Sequence, residues 1–123
     1  MRILFIFLLS LLQNITMAQI AEVKSEGNSI RVYKVASSGS SGASKSFYLG
    51  SSKRLLGYNN QYVIILESGN ASIYDEDFNY KGYIRLGSDK EFLNITPTNI
   101  LIKEGNMTRY YDFKGGSGKA VHN

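Results

Sequence analysis

Apolar positions fall into short runs separated by Gly, Asn, Ser and Asp, and after residue 18 no stretch carries the 3.6-residue period of an amphipathic helix. The runs are rich in Ile, Val, Tyr and Phe, side chains that suit a pleated surface. They predict one strand around Leu55–Leu56, a second over roughly 61–67, a third over 71–75 and a fourth over 80–86. Tyr62 to Leu66 and Ile100 to Ile102 do not alternate with polar residues, which predicts interior strands covered on both faces. Tight turns are marked at Glu26-Gly27-Asn28, at Glu67-Ser68-Gly69-Asn70 and at Glu104-Gly105-Asn106, because Gly and Asn tolerate the positive φ such turns need. Pro97 lies in a Thr-Pro-Thr turn ahead of a further strand.

The pattern repeats. A shift of 37 residues aligns Leu49-Gly50-Ser51-Ser52-Lys53-Arg54-Leu55-Leu56 with Leu86-Gly87-Ser88-Asp89-Lys90-Glu91-Phe92-Leu93. The register continues without a gap through Val63-Ile64-Ile65 on Ile100-Leu101-Ile102, Glu67 on Glu104 and Tyr74-Asp75 on Tyr111-Asp112. A third, partial copy lies 41 residues upstream, where Val23, Glu26 and Tyr33 match Ile64, Glu67 and Tyr74. The extra residues fit Ser37 to Ser46, a Ser/Gly stretch that reads as a loop. In this register Ile64 and Leu101 are expected in matching buried slots.

The segment Tyr62 to Ile84, with its strand, tight turn, Tyr-Asp and Lys-Gly-Tyr-Ile return, resembles the blades of NHL-like β-propellers of secreted proteins. The repeat reads as an all-β antiparallel meander of about three 37-residue hairpin units, and the resemblance implies that these are shaped like propeller blades. A closed propeller uses about four to eight blades. The alternative for three units is a β-trefoil or small barrel.

Composition narrows the setting. Arg2, the ten-residue apolar run Ile3 to Leu12 and the Thr16-Met17-Ala18 ending together predict a signal peptide over 1–18, cleaved before Gln19. The run is half the ~20 residues of a permanent membrane helix. The expected organisation is signal peptide 1–18, β-repeat domain 19–114 and flexible tail 115–123, in a protein secreted or delivered to the periplasm. The chain has no cysteine, which excludes disulfides, thiol catalysis and thiolate metal sites. Net charge is +4, and +3 without Arg2, from scattered lysines and arginines rather than the clusters of a nucleic-acid surface.

Candidate chemistry is sparse. Glu26, Glu67 and Glu104 recur before turns, where a solvated charge suits a turn better than acid/base catalysis. Tyr33, Tyr74 and Tyr111 recur as core fillers, with an aromatic ligand platform as the functional alternative. Asp75, Asp77 and Asn79 open like a calcium loop, but Tyr80 stands in place of the turn glycine and Leu86 in place of the closing glutamate. Gly115 to Ala120 imitates a phosphate loop without its first glycine, its Ser/Thr or a following helix. His122 is the only histidine, which rules out a multi-histidine zinc site and leaves a hydrolase triad without an ordered base. Asn70, Asn94 and Asn106 begin glycosylation sequons.

The expectation is therefore a non-catalytic binding or interaction module with no catalytic residues, no metal site and no cofactor, its ligand-binding residues unassigned. Its expected partners are a protein, an envelope polymer or a second copy, and not nucleic acid. The alternatives are a small secreted hydrolase with a carboxylate site and a self-associating propeller fragment.

Overall fold

Two-residue turns set where three of the strand pairs reverse. The computed structural model describes residues 19–35 and 45–123. The predicted signal peptide and most of the Ser/Gly loop lie outside them. In chain order the strands are β1 (Ile20–Glu26), β2 (Ser29–Lys34), β3 (Lys45–Tyr48), β4 (Lys53–Tyr58), β5 (Tyr62–Glu67), β6 (Asn70–Asp75), β7 (Tyr80–Arg85), β8 (Lys90–Ile95), β9 (Ile100–Glu104), β10 (Met107–Tyr111) and β11 (Ser117–His122). The hairpins β1–β2, β5–β6 and β9–β10 close on the pairs Glu26–Ser29, Glu67–Asn70 and Glu104–Met107. The first turn residue of each has positive φ: 65° at Gly27, 52° at Ser68 and 62° at Gly105. That sign matches the twist of the flanking strands.

The molecule is an all-β antiparallel meander in three sheets, ordered β1-β2-β3, β4-β5-β6-β7 and β11-β10-β9-β8. The 37-residue shift carries β4–β7 onto β8–β11, including the irregular register at Leu55/Gly57 and again at Phe92/Asn94. The sheets share no strand, so among the described residues the chain stacks as separate layers and does not close as a trefoil or barrel.

Alternation along β5 and β6 supplies two apolar faces to the middle sheet. Val63, Ile65 and Tyr74 pack with Ile20, Val23, Ile30 and Val32 of the first sheet. Ile64, Ala71, Ile73 and Ile84 pack with Ile100, Ile102 and Tyr111 of the third. Val63, Ile64 and Ile65 are fully buried, so β5 is the doubly covered strand its sequence predicts. β9 is not. Ile100 and Ile102 are buried, but Leu101 is half-buried on the outer face of the third sheet, where no further layer covers it among the described residues. It therefore does not share the environment of Ile64.

Two further expectations change. Residues 117–122 are strand β11, hydrogen-bonded along β10, rather than a flexible tail, so the repeat domain continues beyond 114. Tyr111 pairs with Ser117 just as Tyr74 pairs with Tyr80, and the unpaired donors and acceptors of β10 are what the last segment satisfies. Lys45 and Ser46, assigned to the Ser/Gly loop, begin β3 opposite β2.

Hydrogen bonds to the backbone and close backbone approaches hold the layers together. The Ile20 N–H donates to the Asn60 carbonyl at 2.7 Å, and the Asn59 side-chain amide donates to the Thr96 carbonyl at 2.9 Å. At Gly82 an added Cβ would lie 2.3 Å from the Lys114 carbonyl oxygen, and at Gly115 one would lie 2.3 Å from that of Tyr83. The β10–β11 turn thus presses on β7 at a distance only glycine permits.

Candidate functional site

Each hairpin joins its recurrent glutamate to its recurrent tyrosine. The Tyr33 hydroxyl donates to Glu26 at 3.0 Å, that of Tyr74 to Glu67 at 2.5 Å and that of Tyr111 to Glu104 at 2.5 Å. Within a hairpin the two residues lie on one face, with the tyrosine ring reaching along its strand to the carboxylate. Cations complete each cluster. Arg31 lies 3.1 Å from Glu26, Lys53 lies 3.4 Å from Glu67, and Arg109 and Lys90 lie 2.8 and 3.6 Å from Glu104. Ser72 holds the middle position equivalent to Arg31 and Arg109, and its hydroxyl helps to lower the Glu67 carboxyl.

This environment fixes the protonation states. Burial alone would raise Glu67, but hydrogen bonds from Tyr74, Ser72 and Lys53 outweigh it and hold the carboxyl below its ordinary range. Glu104 is lowered by its bonds from Tyr111 and then Arg109. Tyr74 and Tyr111 are raised, first by burial and then by the carboxylate each serves. Tyr33 is raised chiefly by its bond to Glu26. Tyr74 and Tyr111 stand in the two cores, while Tyr33 sits half-buried on the outer face of the first sheet.

The Asp75 segment is a connecting turn. Its Oδ1 accepts the backbone N–H groups of Asp77 and Asn79, both at 2.9 Å, and its Oδ2 accepts the Asn79 amide. Asp112 does the same for Lys114 and Gly116, both at 2.8 Å, so the two turns are copies. These bonds outweigh the burial of Asp75 and keep both aspartates below their ordinary range. The Asp77 carboxylate is taken by Lys34 of the first sheet at 2.5 Å. No group of three or more metal-ligating side chains is gathered among the described residues. Gly115 and Gly116 belong to the Asp112 turn, and Ser117 to Ala120 form part of β11. His122 is exposed opposite Met107. Asn94 and Asn106 are exposed, and Asn70 is half-buried at the start of β6.

Sequence reasoning did not single out the region around the Leu86–Lys90 connection. Here the Leu86 and Gly87 N–H groups both donate to the Gly69 carbonyl, pinning the connection to the β5–β6 turn. Three shallow concavities meet at Gly87. One is lined by Ser68, Asn70, Tyr83 and Arg85, another by Ser88 and Asp89, and the third by Arg54, Leu56, Leu66 and Phe92. Tyr83 is 52% exposed. Arg54 and Arg85 form no salt bridge among the described residues, whereas Lys90 at the same rim is held by Glu104. The usable signal was the LGSxK repeat itself, which places a turn and a cation together in successive units.

Among the described residues no helix is long and apolar enough to cross a membrane. In comparisons with known proteins, the chain matches no family, no curated protein and no solved structure.

Proposed function

We propose that this chain is a non-catalytic binding module acting outside the cytoplasm, and that the groove around Gly87 is where it meets an extended anionic polymer. The observation that carries the reading is the pair of guanidinium groups, Arg54 and Arg85, which form no salt bridge among the described residues, even with Glu91 beside Arg54, on a rim that also offers Tyr83 and Asn70. Guanidinium groups match carboxylates two bonds at a time. An open groove fits a chain passing across it better than a small molecule enclosed by it. The positive balance of the chain favours an anionic partner.

The repeated glutamates support a structural rather than catalytic role. Glu67 and Glu104 are held ionised and already saturated, which suits neither an acid that must carry a proton nor a free nucleophile. The stack of meander sheets also supports the likeness to propeller blades.

Titration with polygalacturonate, with dextran as the neutral control, tests the site. Binding is expected to the polyanion only, weakened by 0.5 M salt and reduced at least about ten-fold in Arg54→Ala/Arg85→Ala, the loss of ~1.4 kcal/mol or more. Equal binding of dextran, or full affinity in the variant, overturns the assignment. Export is tested separately by mass spectrometry of protein recovered from the medium or periplasm. A mature terminus at Gln19 is expected, and retention of Met1 overturns it.

A further inference from the structure

Repeat register gives every face of the stack an internal standard: the residue that would stand at each position if another sheet covered it. The inner face of the middle sheet toward the first carries Val63, Ile65 and Tyr74, and the corresponding face of the third sheet carries Ile100, Ile102 and Tyr111. All six are buried. The same positions on the outer face of the first sheet are Glu22, Lys24 and Tyr33. Tyrosine is kept, while both aliphatic side chains become charges. Glu22 and Lys24 stand exposed with an ammonium–carboxylate distance of 3.9 Å, and the Lys24 ammonium lies 5.6 Å from the centre of the Tyr33 ring.

The opposite end is less altered. On the outer face of the third sheet Leu101, Tyr110 and Val121 stand where the middle sheet has Ile64, Ile73 and Ile84. Lys103 replaces Leu66 and Thr108 replaces Ala71. Lys119 lies 4.8 Å over the Tyr110 ring, while Leu93 and Val121 remain 44% and 47% exposed. This face could receive another sheet, and a second copy offers one in the right geometry. Copies joined that way would use unlike surfaces and so could add without limit.

We infer that Glu22 and Lys24 close the outer face of the first sheet against the third sheet of a second copy, so that the stack ends at three layers. Docking would put both charges into the slots that Val63 and Ile65 occupy inside the chain. An exposed, loosely held ion pair would lose its water there with no further hydrogen bonds to replace it. Repeat stacks need such polar end faces to remain finite.

Sedimentation of the purified protein over a wide concentration range tests this. Wild type should show no open-ended growth. Glu22→Val/Lys24→Ile should grow with concentration to several times the wild-type mass, and adding Leu101→Lys at the other end should reverse that growth. Open-ended growth by wild type overturns the inference. So does a folded, cooperatively melting double variant that does not grow, or growth that Leu101→Lys leaves untouched. If the double variant does not fold, the single changes replace it, and each is expected to grow more than wild type.

Discussion

The Tyr74 hydroxyl ties a core ring to the Glu67 carboxylate, whereas the same bond between Tyr33 and Glu26 stands at an outer surface. Tyr74→Phe should cost about 1–2 kcal/mol, near the low end for a charged hydrogen bond because Lys53 and Ser72 still serve Glu67. Tyr33→Phe should leave the melting midpoint unchanged, and thermal unfolding of the two variants checks the contrast. The direction with pH follows. Glu67 and Glu104 have depressed values, so their contribution is present above the unfolded carboxyl range near ~4.3 and is lost as pH falls through the folded values. Tyr74 and Tyr111 are raised, so theirs is present below about 10 and is lost as pH rises beyond it. Stability should plateau between these limits, and Tyr74→Phe should flatten the alkaline fall. The recurrence of both residue types was plain in the sequence, but their bond was not. Seven positions separate them, and only hairpin register shows that the ring lies along the strand toward the carboxylate.

At the level of strands and turns, copying a unit also copied its awkward backbone positions. Ser68 occupies the slot of Gly27 and Gly105 with φ of 52°, and Phe78 occupies that of Gly115 with φ of 61°. Phe78 gains packing from its ring, 5.1 Å from Phe47. Ser68 is exposed at a turn, so Ser68→Gly should stabilise by up to about 1 kcal/mol, measurable by urea unfolding. Gly115→Ala should have the opposite effect, at least about 2 kcal/mol, because a methyl group there meets the Tyr83 carbonyl oxygen. The strands of the middle unit were legible because aliphatic runs met clear turn signals. β11 was not legible from composition, since Ser117-Gly118-Lys119 looks like loop. The 37-residue shift nevertheless aligns those residues with β7, and register was the better guide.

For the molecule as a whole, the order of the layers decides what each repeat-equivalent residue is worth. Ile64→Ala should cost about 2–5 kcal/mol, as a large-to-small change in a closed core. Leu101→Ala should cost clearly less, and chemical denaturation of the pair distinguishes layer position from sequence pattern. An apolar run announces a strand but cannot announce which faces of its sheet are covered, which is why β9 reads like β5 while Leu101 faces outward. The unlike environments also bear on motion. Among the described residues only the β4–β7 sheet has a core on each side. An outer sheet can open while the other two layers stay packed, but the middle sheet cannot open without exposing both cores at once. Amide exchange should therefore be slowest in β5 and β6, with the first and third sheets exchanging as separate, less protected units. The chain would then lose its order from the ends inward, and the central hairpin would be the last to let water reach its backbone.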